Sequence, residues 1–465
     1  MAAAGTLPEP TAALSGLRRS LRRRHMQMIA LGGVIGAGLF VGSGVVIASA
    51  GPAAVISFAL TGTLVVLVMR MLGEMAVAYP AVGGFYEYNR LALGDLAGFL
   101  TGWMYWYFWV IVVALEAVAG ARILGAWWPT VAPWQFTLGL MSVFTVVNLL
   151  SVRSYGEAEF WFASIKVAAI VVFLCGGTLF VCGAWPGMAG GVAHLTAEGG
   201  FMPNGLVPVL TGAVAATGFY FGAEIVTIAA AESAEPEIAV ARTTQSVIWR
   251  VLVFYIGSIF LVVAIVPWND AARMARPYVS VLEALRIPAA PTLMSLVILT
   301  AVLSALNSGL FASSRMLMAL ANRRDAPRAF ERLDGRGVPV AALLASTAFG
   351  YVTVVMSYLS PNTIFAFLVN SYGTVGIFVY ILIALAELKL RRRLESDLPG
   401  RLRLRMWGFP WLTRCTIAAM LTIVAAMAVI PEQRAPLLFG LLSVAALLGA
   451  YALRGMLRAR SGVRA

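Results

Sequence analysis

Gly32-Gly33-Val34-Ile35-Gly36-Ala37-Gly38-Leu39-Phe40-Val41-Gly42-Ser43-Gly44 lies inside an apolar run that extends from about residue 27 to residue 51. A run of that length is what a helix needs to cross about 30 Å of hydrocarbon, yet this one is studded with glycine. Gly36-Ala37-Gly38 begins about ten residues in, which at about 1.5 Å per residue is roughly 15 Å deep, near the bilayer middle. Glycine favours unwinding there. A broken helix leaves free N–H groups at the start of its second half and free C=O groups at the end of its first, which suit a carboxylate and an ammonium respectively.

The same device recurs at Gly218-Phe219-Tyr220-Phe221-Gly222, preceded by Gly212. Glycine also serves close helix packing in membranes, but two clusters at corresponding positions favour breaks. The rest of the chain has the same apolar character: of 465 residues, 60% are hydrophobic and only 12% charged, against about 25% charged in a soluble protein. Cut at charged or Pro/Gly-rich breaks, it gives twelve candidate helices: 27–51, 53–79, 96–126, 134–152, 160–183, 205–231, 244–266, 291–321, 338–358, 361–388, 408–430 and 435–455. The basic cluster before residue 26 precedes too long an apolar run for a cleaved signal peptide, so the first span is retained.

Five helices separate the two glycine clusters, and five is odd. A unit beginning at helix 6 therefore enters the membrane from the opposite side, and helices 1–5 (27–183) and 6–10 (205–388) can form an inverted pair, with helices 11 and 12 (408–455) added. The net charge of +13 comes from short basic runs between apolar stretches, which are topology signals and not a nucleic-acid face. Arg18 to Arg24, the loop with Arg323, Arg324, Arg328, Arg332 and Arg336, and the segment Lys389 to Arg405 fall on one side. Only Arg122, Arg273, Arg276, Arg286 and Arg434 mark the other. By the positive-inside rule the tails, 1–26 and 456–465, are cytoplasmic.

Arg24-His25, Gly33-Val34-Ile35-Gly36-Ala37-Gly38-Leu39-Phe40 and Ala50-Gly51-Pro52 resemble the first helix of the amino acid–polyamine–organocation superfamily, in its bacterial amino acid permease branch. Residues 199–205 (Gly-Gly-Phe-Met-Pro-Asn-Gly), 222–233 (Gly-Ala-Glu-Ile-Val-Thr-Ile-Ala-Ala-Ala-Glu-Ser), 246–250 (Ser-Val-Ile-Trp-Arg) and 403–407 (Arg-Leu-Arg-Met-Trp) are similar to the γ-aminobutyrate permeases of that branch. The resemblance runs from about residue 20 to the last helix. It implies a LeuT-type fold, a small amino-acid substrate, proton coupling with no other cofactor, and an inner-membrane protein that works as a monomer or weak homo-oligomer.

It also implies site residues. The substrate carboxylate would lie against the backbone around Val34, Gly36, Ala37 and Gly38, and the amino group against carbonyls near Gly218, Phe219, Phe221 and Gly222. The family often has Ser or Thr between the helix 1 glycines. Here Ala37 stands there, so backbone N–H groups must hold the carboxylate unaided. Lys166 is expected six residues into helix 5, where similar permeases carry a lysine in the place of a sodium ion. A buried amine there can gain and lose a proton during a cycle, whereas a snorkelling one stays charged at the interface.

Ionisable residues inside spans are candidates for function by default. Glu224 directly follows the helix 6 break and either fixes the unwound segment by accepting backbone N–H bonds or moves protons. Glu116 in helix 3 either pairs with a cation or approaches the substrate amine. Arg70 and Glu74 are four apart and read as a local ion pair, and Glu232 and Glu235 as cytoplasmic loop residues. The aromatic run Trp103, Tyr105, Trp106, Tyr107, Phe108, Trp109 either lines a cavity or packs. Asn307, Ser308, Ser313 and Ser314 either neighbour Lys166 or bond between helices. Cys175, Cys182 and Cys415 read as small buried hydrophobes, and no metal site is expected. His25 and His194 carry no assigned role.

The leading function is therefore secondary import of γ-aminobutyrate or a similar small amino acid by alternating access, with proline transport or uncoupled exchange as alternatives. A membrane enzyme would need a nucleophile and base or an H-E-x-x-H sequence. A directly driven pump would need a G-x-x-x-x-G-K-[ST] loop. The chain has neither sequence.

Overall fold

The computed structural model describes residues 21–32, 35–36, 38–81, 83–187, 190–229, 232, 246, 248–397 and 399–460, and among these no β-strand occurs. Nine helices among the described residues are long and apolar enough to cross a membrane. Gly38–Ala78 is one of them, although the sequence divides it into helices 1 and 2, because a 3-10 turn at Gly51–Ala53 joins the two halves. Helix 7 is seen as the shorter stretch Arg250–Ile265, and helix 10 as Pro361–Asp397, nine residues beyond its expected end.

Helix 5 corrects the sequence reading. It starts at Val152 and not at 160, because the Ser151 hydroxyl accepts the Ser154 N–H at 3.0 Å and caps it. Its first turns are amphipathic, with Arg153 and Glu157 outward and Val152, Tyr155 and Gly156 buried, so a hydropathy window discards them. Lys166 therefore sits fourteen residues into the helix, about 21 Å from its start, and not near one end.

Helix 3 (Asp95–Trp127) and helix 8 (Ala290–Asn322) pack on each other at the centre, flanked by helices 5 and 10. The apolar window of helix 3 is 67% buried, whereas that of helix 12 is 11% buried, which places helix 12 at the lipid-facing rim. Cys175, Cys182 and Cys415 are exposed, contrary to the expectation that they are buried. They belong to the same outward apolar surface as Val172, Trp161 and Trp411, where the bilayer, and not protein, covers apolar atoms.

Both glycine clusters interrupt their helices. Arg23–Gly32 stops before Ile35 and Gly36, neither of which is helical, and the chain resumes at Gly38–Gly42 as a π-helical turn leading into Ser43–Ala50. Leu206–Ala216 tightens into a 3-10 turn at Thr217–Tyr220, passes through non-helical 221–224, and continues as Ile225–Ala229. Gly222 has a φ of 116°, a conformation that glycine alone adopts cheaply. Val34, Ala37 and Glu235 lie outside the described residues.

Candidate functional site

The two interruptions meet. The ring of Phe219 lies so close to helix 1 that a Cβ on Gly38 would approach its Cδ1 to 2.7 Å and one on Gly42 its Cζ to 2.6 Å. Glycine at both positions is what admits the ring. Beside this contact is a cavity of about 80 Å³, lined by Gly36 and Gly38 from helix 1, by Gly218, Phe219 and Phe221 from helix 6, by Phe108, Trp109 and Glu116 from helix 3, by Lys166 from helix 5, and by Ser304 and Ser308 from helix 8, among others. A second cavity, of about 260 Å³, shares Gly218 and Phe219 with the first and reaches Glu432 and Gln433 in the first turn of helix 12, which starts at Pro431. Phe219 thus stands in both walls.

Helix 6 is held in its irregular course by hydrogen bonds to four neighbouring helices. Tyr255 donates to the Phe219 carbonyl at 2.7 Å and Tyr220 to the Phe58 carbonyl at 2.8 Å. The Phe219 carbonyl therefore has only one lone pair left for a ligand. Glu224 is buried and takes the Gly222 N–H at 3.1–3.2 Å, the Tyr105 hydroxyl at 3.2 Å and the Tyr380 hydroxyl at 2.9 Å. Of the two roles open to it, the geometry displays the first: the carboxylate closes on the unwound backbone. Neither Gly222 nor Glu224 lines the cavity among the residues that do. Phe221 packs edge-on against Tyr380, with centroids 4.9 Å apart, and against Phe108 at 5.6 Å.

Lys166 does not snorkel. It is buried, and its ammonium donates to Ser304 Oγ at 2.8 Å. The serine in turn donates to Glu159 Oε1 at 2.5 Å, and Asn307 Nδ2 lies 3.4 Å from Glu159 Oε2. One oxygen of Glu116 is buried with no hydrogen-bond partner among the described residues, although its carboxyl shares the cavity with Lys166. Of the helix 3 aromatic run, Phe108 and Trp109 line the cavity and Tyr105 holds Glu224, whereas Trp103 donates to the Asp325 carbonyl at 3.2 Å and Trp106 to Ser346 at 2.9 Å.

One expectation fails. Glu74 pairs with Arg391 and the Met406 N–H, not with Arg70; Arg70 instead donates to the Arg405 carbonyl at 2.9 Å and stacks on Trp407. The i,i+4 spacing put them on one face, but tertiary partners of both residues were out of reach of a local reading. Glu232, placed by the sequence in a loop, is buried and pairs with Arg315 at 2.8 Å. His25 is likewise buried, packed against Gly156 with Nε2 3.2 Å from Glu157. Glu159 and Ser304 were not singled out in the sequence. Glu159 precedes Lys166 by seven residues, two turns on the same face, and Ser304 precedes Asn307 by one turn; the misplaced helix 5 start hid the first.

A family model described as Amino acid permease matches residues 25–456. The Gamma-aminobutyric acid permease of Bacillus subtilis (strain 168) is 50% identical over 425 residues, 91% of each chain. The Gamma-aminobutyric acid permease of Escherichia coli (strain K12) is 45% identical over 416 residues, 89% of each chain. An aromatic amino acid transport protein of Corynebacterium glutamicum is 42% identical over 417 residues, 89% of this chain and 90% of that one.

Proposed function

This chain belongs to the amino acid permease family, and on that premise we propose that it imports γ-aminobutyrate with a proton across a bacterial inner membrane. The observation that carries this reading is a cavity at which both helix interruptions meet, with an amine and a carboxylate in its wall. In this reading the chain crosses the membrane twelve times with both tails cytoplasmic, helices 1–5 and 6–10 form a LeuT-type inverted repeat, and a monomer or weak homo-oligomer does the work.

The substrate carboxylate lies against the backbone N–H groups around Ala37 and Gly38, at the start of the second half of helix 1. The ammonium lies by Glu116, whose orphaned oxygen gains the charge-assisted bond it lacks, and by the carbonyls near Gly218 and Phe221. An ω-amino acid separates its two charges, which suits binders on opposite walls. Phe219, between the two cavities, closes the outer path, and rocking of the bundle opens the inner one. Lys166 carries the coupling proton.

The test is uptake of labelled γ-aminobutyrate by proteoliposomes with and without an inside-alkaline gradient, against competing β-alanine, proline and phenylalanine. We expect gradient-dependent accumulation and strongest competition by unlabelled γ-aminobutyrate. The relative named for aromatic amino acids makes phenylalanine the competitor whose victory would overturn the substrate. Lys166→Ala is expected to abolish accumulation above equilibrium; if it accumulates fully, the lysine is not the coupling group.

A further inference from the structure

From Lys166 in the cavity wall a hydrogen-bonded chain runs through Ser304, which also lines the cavity, to Glu159, which does not. Lys166 Nζ donates to Ser304 Oγ at 2.8 Å, Ser304 donates to Glu159 Oε1 at 2.5 Å, and all three residues are buried. A serine hydroxyl owns one proton and can aim it either way. With an ammonium and a carboxylate at the ends, the donors run from lysine to glutamate. With an amine and a carboxylic acid they run from glutamate to lysine, and every hydrogen bond is still made without moving a heavy atom. Asn307 takes no part in this reversal. It faces Glu159 Oε2 at 3.4 Å while its own oxygen accepts from Asn148 at 3.1 Å, so it holds the carboxyl in place in either state.

We propose that Ser304 relays a proton from Lys166 to Glu159, making Glu159 the next station on the proton's inward path. The proposal rests on the reading of Lys166 as the coupling residue. One N–H bond of the ammonium breaks as an O–H bond forms on Ser304, and the original Ser304 O–H breaks as one forms on Glu159. Lysine is left as an amine, serine is restored and glutamate is neutral; no other reactant is needed. The direction follows from helix 5: Glu159 is seven residues nearer its start, about 10 Å along the axis, towards the end assigned to the cytoplasm. The other ionisable groups around the chain are Glu116 from helix 3, in the same cavity as Lys166, and Tyr155, whose hydroxyl lies 3.5 Å from Ser308. Beyond them Arg315 and Glu232 are paired with each other.

The full-length protein in proteoliposomes separates relay from scaffold by two readouts with labelled γ-aminobutyrate. Counterflow needs no gradient. Accumulation under a one-unit pH gradient, followed with a trapped pH-sensitive dye, reports coupling, and that gradient supports about tenfold accumulation for one proton per substrate. Glu159→Gln, at a residue that does not line the cavity, is expected to keep counterflow near the wild-type rate and to lose both accumulation and proton uptake; Ser304→Ala is expected to lose accumulation and proton uptake, and Ser304→Thr, which keeps a hydroxyl, to retain them. Accumulation by Ser304→Ala or Glu159→Gln at the wild-type level overturns the relay. So does loss of counterflow together with accumulation in Glu159→Gln and Ser304→Thr, which marks a structural bridge. If Lys166→Ala itself accumulates fully, the coupling role of the lysine fails first; if Lys166→Ala fails to accumulate while Ser304→Ala succeeds, the relay alone is wrong.

Discussion

Within the cavity the glycines are not equivalent, and the difference tests which of them the substrate touches. A Cβ built on Gly36 or on Gly218 meets nothing within 4 Å, whereas one on Gly38 meets the Phe219 ring at 2.7 Å. Gly36→Ala and Gly218→Ala therefore add a methyl to empty space, leave the folded protein undisturbed, and take room from the ligand. An extra methylene in a pocket is worth about 1–3 kcal/mol of discrimination, so KM for γ-aminobutyrate should rise about tenfold while the Tm of the purified protein stays put. Gly38→Ala should instead lower Tm, because the ring must shift. Unchanged KM in both Gly36→Ala and Gly218→Ala would remove the cavity from the substrate's path. These glycines were readable in the sequence by depth and spacing. Glu159 was not, because nothing local reveals that a carboxylate in a polar turn folds inward to meet Ser304 from helix 8.

Among helices, glycine marks contacts of two kinds. Gly44, in the second half of helix 1, lies under the Met274 carbonyl, and a Cβ there would come within 1.9 Å of that oxygen. Backbone cannot yield as a side chain can. A Cβ on Gly350 in helix 9 would instead meet Met141 Cε at 2.2 Å, the end of an adaptable side chain. Overpacking costs about 1–3 kcal/mol, and we expect Gly44→Ala to fall at or beyond the upper end and Gly350→Ala below the lower one, measured as Tm in detergent. Equal shifts would mean that the short helix Ala271–Met274 gives way easily and does not anchor helix 1. At this scale the apolar runs gave most helices to within a few residues. The failures were helix 5, whose amphipathic first turns read as loop, and helix 10, whose charged last turns did the same. Both misreadings have one cause: hydropathy detects contact with lipid, and a helix continues past the lipid wherever capping and protein contacts sustain it.

Across the whole molecule, the basic runs that signal topology in the sequence are partly consumed in ion pairs that join distant parts of the chain. Glu74 in helix 2 takes Arg391 from helix 10 and the Met406 N–H before helix 11. Asp325, after helix 8, accepts from Tyr86 at 2.7 Å, pairs with Arg90 at 3.1 Å and also pairs with Arg454 of helix 12. Burial, and then the Asp325 carboxylate, push the Tyr86 phenol well up, so it stays protonated and donating. The positive-inside rule reads the side of the membrane from these arginines, but their partners lie hundreds of residues away and no local pattern names them. Removing one partner of a buried pair costs about 3–5 kcal/mol. Glu74 and Arg391 are both buried, whereas Arg90 and Arg454 are each 20% exposed, so Asp325→Asn should cost less than Glu74→Gln. Its distinctive effect should be directional. The Asp325 knot ties the helix Phe85–Leu93 to helix 12 at the end proposed to face the cytoplasm, so loosening it favours opening on that side. We expect Asp325→Asn to lower KM for γ-aminobutyrate measured from the cytoplasmic face and raise it from the outer face, compared in inside-out and right-side-out vesicles. A uniform change in both orientations would make the knot a matter of stability alone.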